Sequence, residues 1–101
     1  MTNFADRRNA ERRPVILQAS YRTQSGHEGQ GHTLDVSATG VRLETDRKLA
    51  VGSPVLLRLQ SQALTAYVRW NHLSCSESQR YQVGLALSPG CPDPLGLIGN
   101  N

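Results

Sequence analysis

Alternation with a period of two governs this sequence. Apolar and polar residues exchange places along six short runs, and glycine, proline and small polar residues cut the runs apart. That period is the pleat of a half-buried β-strand, whose side chains point to opposite faces in turn. In VILQASY, Val15, Leu17, Ala19 and Tyr21 share one face, and Ile16, Gln18 and Ser20 the other. TQSGHEGQG follows, with three glycines, and reads as a hairpin loop. HTLDV is a second short strand, and in GVRLET Val41 and Leu43 oppose Arg42 and Glu44. PVLLRLQ aligns Val55, Leu57 and Leu59. ALTAYVRWNH aligns Leu64, Ala66, Val68 and Trp70, so Trp70 is expected in the core and Tyr67 outside. LSCSESQR reads as a polar loop, and YQVGLAL aligns Tyr81, Val83, Leu85 and Leu87.

No run carries the 3.6-residue period of an amphipathic helix. About six short strands with turn signals between them indicate a small all-β fold. We expect a six-stranded antiparallel β-barrel, because closure removes exposed sheet edges in so short a chain. At 101 residues there is room for one modest core. The expected organisation is a basic N-terminal arm at residues 1–13, the barrel at 14–88 and a Pro/Gly-rich tail at 89–101. Pro14 starts extended chain. Pro89, Pro92 and Pro94 leave the tail little or no helix.

No stretch approaches the ~20 apolar residues of a membrane-spanning helix. MTNFADRRNAERR is charged and has no apolar core of a secretory signal. The expected location is therefore the cytoplasm, as a bacterial-type domain. Cys75 and Cys91 lack any C-x-x-C spacing and are expected as free thiols rather than zinc ligands. His27, Glu28 and His32 surround a glycine-rich loop but suggest no fourth ligand, so no metal or cofactor is expected. No nucleophile elbow, metalloprotease helix or phosphate loop is present, and we expect no enzyme.

Charge is unevenly spread. The formal net charge is +3, yet Arg7, Arg8, Arg12 and Arg13 fall within one seven-residue stretch. Such an arm suits an anionic partner, or is a solvated tail. Arginine grips phosphate oxygens bidentately and pairs with the O6 and N7 of guanine. In DVSATG, Asp35 ends one strand and Gly40 begins the next. Gly40 supplies a positive φ or lets backbone approach closely. Asp35 and Ser37 form a local turn, or present a carboxylate and a hydroxyl to the N1 and N2 donors of a guanine. Arm and turn together are complementary to a guanine nucleotide with several phosphates.

RRNAER, PVILQASY, DVSATGVRLE, AYVRW and YQVGLAL, taken in order, resemble a PilZ domain over residues 6–87. The shared pattern is R-x-x-x-R, here Arg8 and Arg12, followed by [D/N]-x-S-x-x-G, here Asp35, Ser37 and Gly40. Trp70 at a strand end and Gly84 in the closing strand are weaker shared features. The resemblance implies a cyclic di-GMP receptor or adaptor. In it Arg8 and Arg12 clamp phosphates and guanine edges, Asp35 and Ser37 bond a guanine, and Gly40 admits the ligand. Arg7, directly before the motif, implies an intercalated ligand dimer. Arg13 and Arg42 are candidate secondary contacts, and Arg42 reads alternatively as a solvent-facing strand arginine. The arm is expected to order on ligand binding and present a surface to a downstream protein partner. Two rivals stand beside this reading: a ligand-independent protein-interaction module, and a nucleic-acid-binding barrel with a basic arm. The second requires exposed aromatics on a strand face, and nucleic acid is not the expected partner.

Overall fold

Each alternating run contributes residues to a strand with a neighbour on both sides. The computed structural model describes residues 12–75, 77 and 79–90. Its strands are β1 (Arg13–Pro14), β2 (Gln18–Thr23), β3 (Glu28–Val36), β4 (Gly40–Thr45), β5 (Pro54–Leu59), β6 (Gln62–Cys75) and β7 (Arg80–Leu87). Every pairing is antiparallel. The order β3-β2-β5-β6-β7-β4 returns to β3, which closes a six-stranded barrel, as expected. The described residues contain no helix.

The period-two faces deliver the core. Ala19, Tyr21, Val41, Leu43, Val55, Leu57, Leu59, Leu64, Ala66, Val68, Val83 and Leu85 are all buried. Leu49 joins them from the β4–β5 connection, where Asn71 holds it. The Leu49 amide donates to Asn71 Oδ1 at 2.9 Å, and Asn71 Nδ2 donates back to the Leu49 carbonyl. Ile16, on the outer face, is 75% exposed.

Three boundaries differ from the sequence reading. First, Val15–Tyr21 is not one strand. β1 and β2 both lie along β3, and residues 15–17 leave regular pairing between them. Thr33 provides the missing partners. Its hydroxyl donates to the Val15 carbonyl at 2.5 Å and accepts from the Leu17 amide at 2.8 Å.

Second, TQSGHEGQG is mostly strand. The turn is confined to residues 24–27, with Gly26 at φ +94°. Gly29 and Gly31 lie inside β3 for a different reason, because a Cβ on either would strike a neighbour. Third, β6 runs on to Cys75, into the stretch read as a polar loop.

Candidate functional site

Strict alternation along β3 would point Asp35 inward with Thr33. A β-bulge prevents that. Thr33 pairs with Leu43, the next matched pair is Asp35 with Arg42, and Leu34 is the extra residue. Such a bulge re-aims the side chains that follow it. Thr33 and Val36 stay in the core, and Asp35 turns outward beside Arg42.

The chain entering the barrel brings Arg12 to the same place. Arg13 pairs with Val36 and Pro14 with Asp35, while Thr33 fastens residues 15–17 below. Arg12 Nη1 donates to Asp35 Oδ1 at 2.7 Å, and Arg42 Nη2 pairs with Asp35 Oδ2 at 2.7 Å. The carboxylate is nearly buried and needs such partners, since an unpaired buried charge is strongly disfavoured. Both guanidinium groups are about half exposed, so each ion pair is worth about 1 kcal/mol or less. Arg42 Nη1 reaches Gln82 Oε1 only at 3.5 Å, and its Nε is buried without an acceptor. A neighbouring row on the same wall holds His32, Glu44 and Arg80, with Glu44 3.1 Å from His32 and 3.6 Å from Arg80.

Ser37 and Gly40 build the turn after Asp35. The Ser37 hydroxyl accepts from the Gly40 amide at 3.0 Å and donates to the Gly40 carbonyl at 3.2 Å. The Ser37 amide also donates to that carbonyl at 2.8 Å. Of the two readings of DVSATG, Ser37 takes the local turn, and Asp35 takes ion pairs. Gly40 is not among the positive-φ residues. A Cβ there would sit 2.7 Å from the Leu85 carbonyl, so close approach is the reason for glycine.

Trp70 is a correction. It was expected beside Val68 in the core, and it is 41% exposed. A second bulge, at Arg69, shifts the register between Val68 and Trp70 and turns the indole outward. The ring takes the space a side chain at residue 84 would fill, and Gly84 leaves it free. Register then aligns Asp35, Arg42, Gly84 and Trp70 in one row across β3, β4, β7 and β6. Arg12, Gly40, Arg69, Trp70 and Gly84 line part of a cleft of about 230 Å³ on this wall. Sequence reasoning put Trp70 in the core rather than on this wall, because period two cannot foresee a bulge. The arginine and glycine flanking it in strand register were the available signal.

The expected site is thus partly assembled within the described residues. Arg12, Asp35 and Arg42 meet, Ser37 and Gly40 shape the adjoining turn, and Arg13 is exposed beside them. Arg7 and Arg8 lie outside the described residues. Among the described residues, no group of three or more His, Cys, Asp or Glu could hold a metal ion. A larger cleft of about 460 Å³, lined in part by His27, Arg47 and Lys48, opens between the β2–β3 turn and the β4–β5 connection. It shares no residue with the Asp35 wall.

Comparison with known proteins bears on this geometry. The family model for the PilZ domain matches residues 6–90. A search of curated proteins finds no match. PilZ domains are β-barrels that bind cyclic di-GMP, and they are receptor domains rather than catalytic ones. No helix among the described residues is long and apolar enough to cross a membrane. With its arginine-bracketed aspartate, its serine-closed turn and a family match over most of its length, the chain belongs to the PilZ domain family.

Proposed function

We propose that this chain is a cyclic di-GMP-binding adaptor whose ligand sits on the outer wall around Asp35. The observation that carries the reading is the meeting of the two motifs. The second arginine of R-x-x-x-R and the aspartate of D-x-S-x-x-G lie 23 positions apart and are joined at 2.7 Å. A carboxylate aimed outward between cations suits a ligand that offers N–H donors on one edge and phosphates beside it.

Arg8 and Arg12 grip phosphates and guanine edges in this reading, and Asp35 accepts from a guanine. Ser37 and Gly40 hold the turn that lets the ligand approach. Arg7 favours two stacked ligand molecules per chain, and Arg13 and Arg42 are secondary contacts. The ligand gathers the arginines of residues 1–13 on to the barrel. Fixing each residue costs about 1 kcal/mol or more. Charge-assisted hydrogen bonds of about 1.5 to 3 kcal/mol each must exceed that sum. The resulting surface of arm, ligand and barrel rim is what a downstream protein reads.

A second reading has one observation in its favour. Tyr67 and Trp70 are 45% and 41% exposed on the outer face of β6, with Arg69 between them. Exposed aromatics with a cation are what a single-stranded nucleic acid stacks on. Calorimetric titration with cyclic di-GMP, GTP and a short single-stranded DNA separates the two. Saturable binding of cyclic di-GMP alone, at two per chain, is the expected result. Binding of the DNA alone overturns the proposal.

A further inference from the structure

Four arginines of the barrel answer an acid. Arg12 and Arg42 pair with Asp35, Arg22 with Glu28 and Arg80 with Glu44. Arg47 and Lys48 are different. They are adjacent and exposed on the β4–β5 connection, and neither forms an ion pair among the described residues. The acid beside them in sequence, Asp46, accepts from the Tyr21 hydroxyl at 3.0 Å. Both cations line the cleft of about 460 Å³, and half-buried His27 lines it from the β2–β3 turn.

The backbone on each side of this cleft is pinned. The Thr45 hydroxyl donates to the Arg47 carbonyl at 2.8 Å, and Asn71 clasps the amide and carbonyl of Leu49. The stretch that carries both cations is thus fixed at its two ends. Across the cleft, the His27 amide donates to the Thr23 hydroxyl at 3.1 Å, and the Thr23 amide donates to the His27 carbonyl at 2.8 Å. Uncommitted charge on fixed backbone lowers the ordering cost of binding.

We propose that this cleft is a second anion site, one that takes the phosphoryl end of a small phosphorylated ligand. Arginine grips two phosphate oxygens at once, and lysine adds a point charge. The His27 ring supplies a further N–H donor. A phosphoryl group has three oxygens for these donors, where a carboxylate has two. The volume falls within the roughly 300–1,000 Å³ of small-molecule sites. The site is separate from the Asp35 wall. Eight positions of mostly extended chain divide His27 from Asp35, roughly 20 Å or more at about 3.3 Å per residue. That is beyond the Debye length of about 8 Å at 0.15 M salt, so the two sites do not share their charges.

The test is titration of the isotope-labelled full chain with inorganic pyrophosphate, followed by amide chemical shifts. Succinate and a tetraglutamate peptide serve as the carboxylate probes. Pyrophosphate should move the amides of residues 24–27 and 47–50 and saturate with a Kd below about 1 mM. Arg47→Gln/Lys48→Gln should weaken that response about 10-fold or more and leave cyclic di-GMP affinity unchanged. Arg12→Gln should leave the response at the cleft intact. Shifts confined to the Asp35 wall, or a response at the cleft that does not saturate, overturn the proposal. So does tighter binding of succinate or of the peptide there, which would make the cleft a carboxylate site or a protein-docking surface. Loss of cyclic di-GMP binding in the double variant would merge the two sites and overturn it as well. If that variant does not fold, the wild-type shift map and the ranking of probes decide. A wild type that binds no cyclic di-GMP removes the functional proposal and leaves this one standing.

Discussion

Trp70 stands where a side chain at residue 84 would be. A Cβ built on Gly84 lies 2.3 Å from both Nε1 and Cε2 of the indole. The contact is with the far end of a side chain, so Gly84→Ala should displace the ring rather than the strand. We expect a stability change within about 1 kcal/mol, since the indole can swing into solvent. If a base stacks on Trp70, cyclic di-GMP affinity should fall about 5-fold or more. Tryptophan fluorescence and calorimetry on the same variant check both. Unchanged affinity with a shifted emission spectrum would show that the ring takes no part in binding.

Thr33 fixes the approach of Arg12 through backbone alone. Its hydroxyl serves the Val15 carbonyl and the Leu17 amide, and Thr33 itself is fully buried. Thr33→Val keeps the shape and orphans both backbone groups. That should cost about 1 to 3 kcal/mol. The Leu17 amide should lose protection from hydrogen exchange well before β5 and β6 do. Calorimetry should show weaker ligand binding, because Arg12 is no longer held opposite Asp35.

Tyr21 makes stability fall in alkali. Burial first, and then the hydrogen bond to Asp46, push its hydroxyl from 10.0 up to about 12. Between those values the unfolded chain releases a proton that the folded chain keeps. The unfolded state binds fewer protons there, so stability declines as pH rises. The contribution, roughly 3 kcal/mol, is fully present below pH 10 and is lost as pH passes about 12. Thermal melts from pH 8 upward should show the decline, and Tyr21→Phe should flatten it. A wild-type melting temperature that holds steady through this window would contradict the assignment.

The barrel was readable from period two because its walls bury one face and expose the other. Residue type alone picked out Arg12 and Asp35, which meet, and Ser37, which closes the adjoining turn. What was hidden lies at the two bulges. One extra residue at Leu34 and one at Arg69 invert the facing of everything after them. Strict alternation therefore gave Trp70 the wrong side. The same alternation could not pair Asp35 with Arg42, since register across strands is a long-range property. Glycine was ambiguous for a related reason. A turn and a close backbone approach call for the same residue, and TQSGHEGQG contains both.

Three glycines in that hairpin give the distinction a ranked test. Gly26 sits at φ +94° with nothing within 4 Å of a built Cβ, so alanine there meets strain but no clash. The cost should be about 1 to 2 kcal/mol. A Cβ on Gly29 lies 2.3 Å from the Tyr21 hydroxyl and 2.5 Å from its Cζ. Gly29→Ala must push aside a buried ring and strain its bond to Asp46, at about 2 to 3 kcal/mol. On Gly31 the nearest atom is the Glu44 carbonyl oxygen, at 2.1 Å. That is backbone, and it cannot rotate away. Gly31→Ala should force β3 and β4 apart beside the His32–Glu44 pair, and cost most, about 3 kcal/mol or more. Urea midpoints should therefore fall in the order Gly26→Ala, Gly29→Ala, Gly31→Ala, from least to most. A reversed order, with Gly26→Ala the most damaging, would mean that the turn rather than strand packing dictates these glycines.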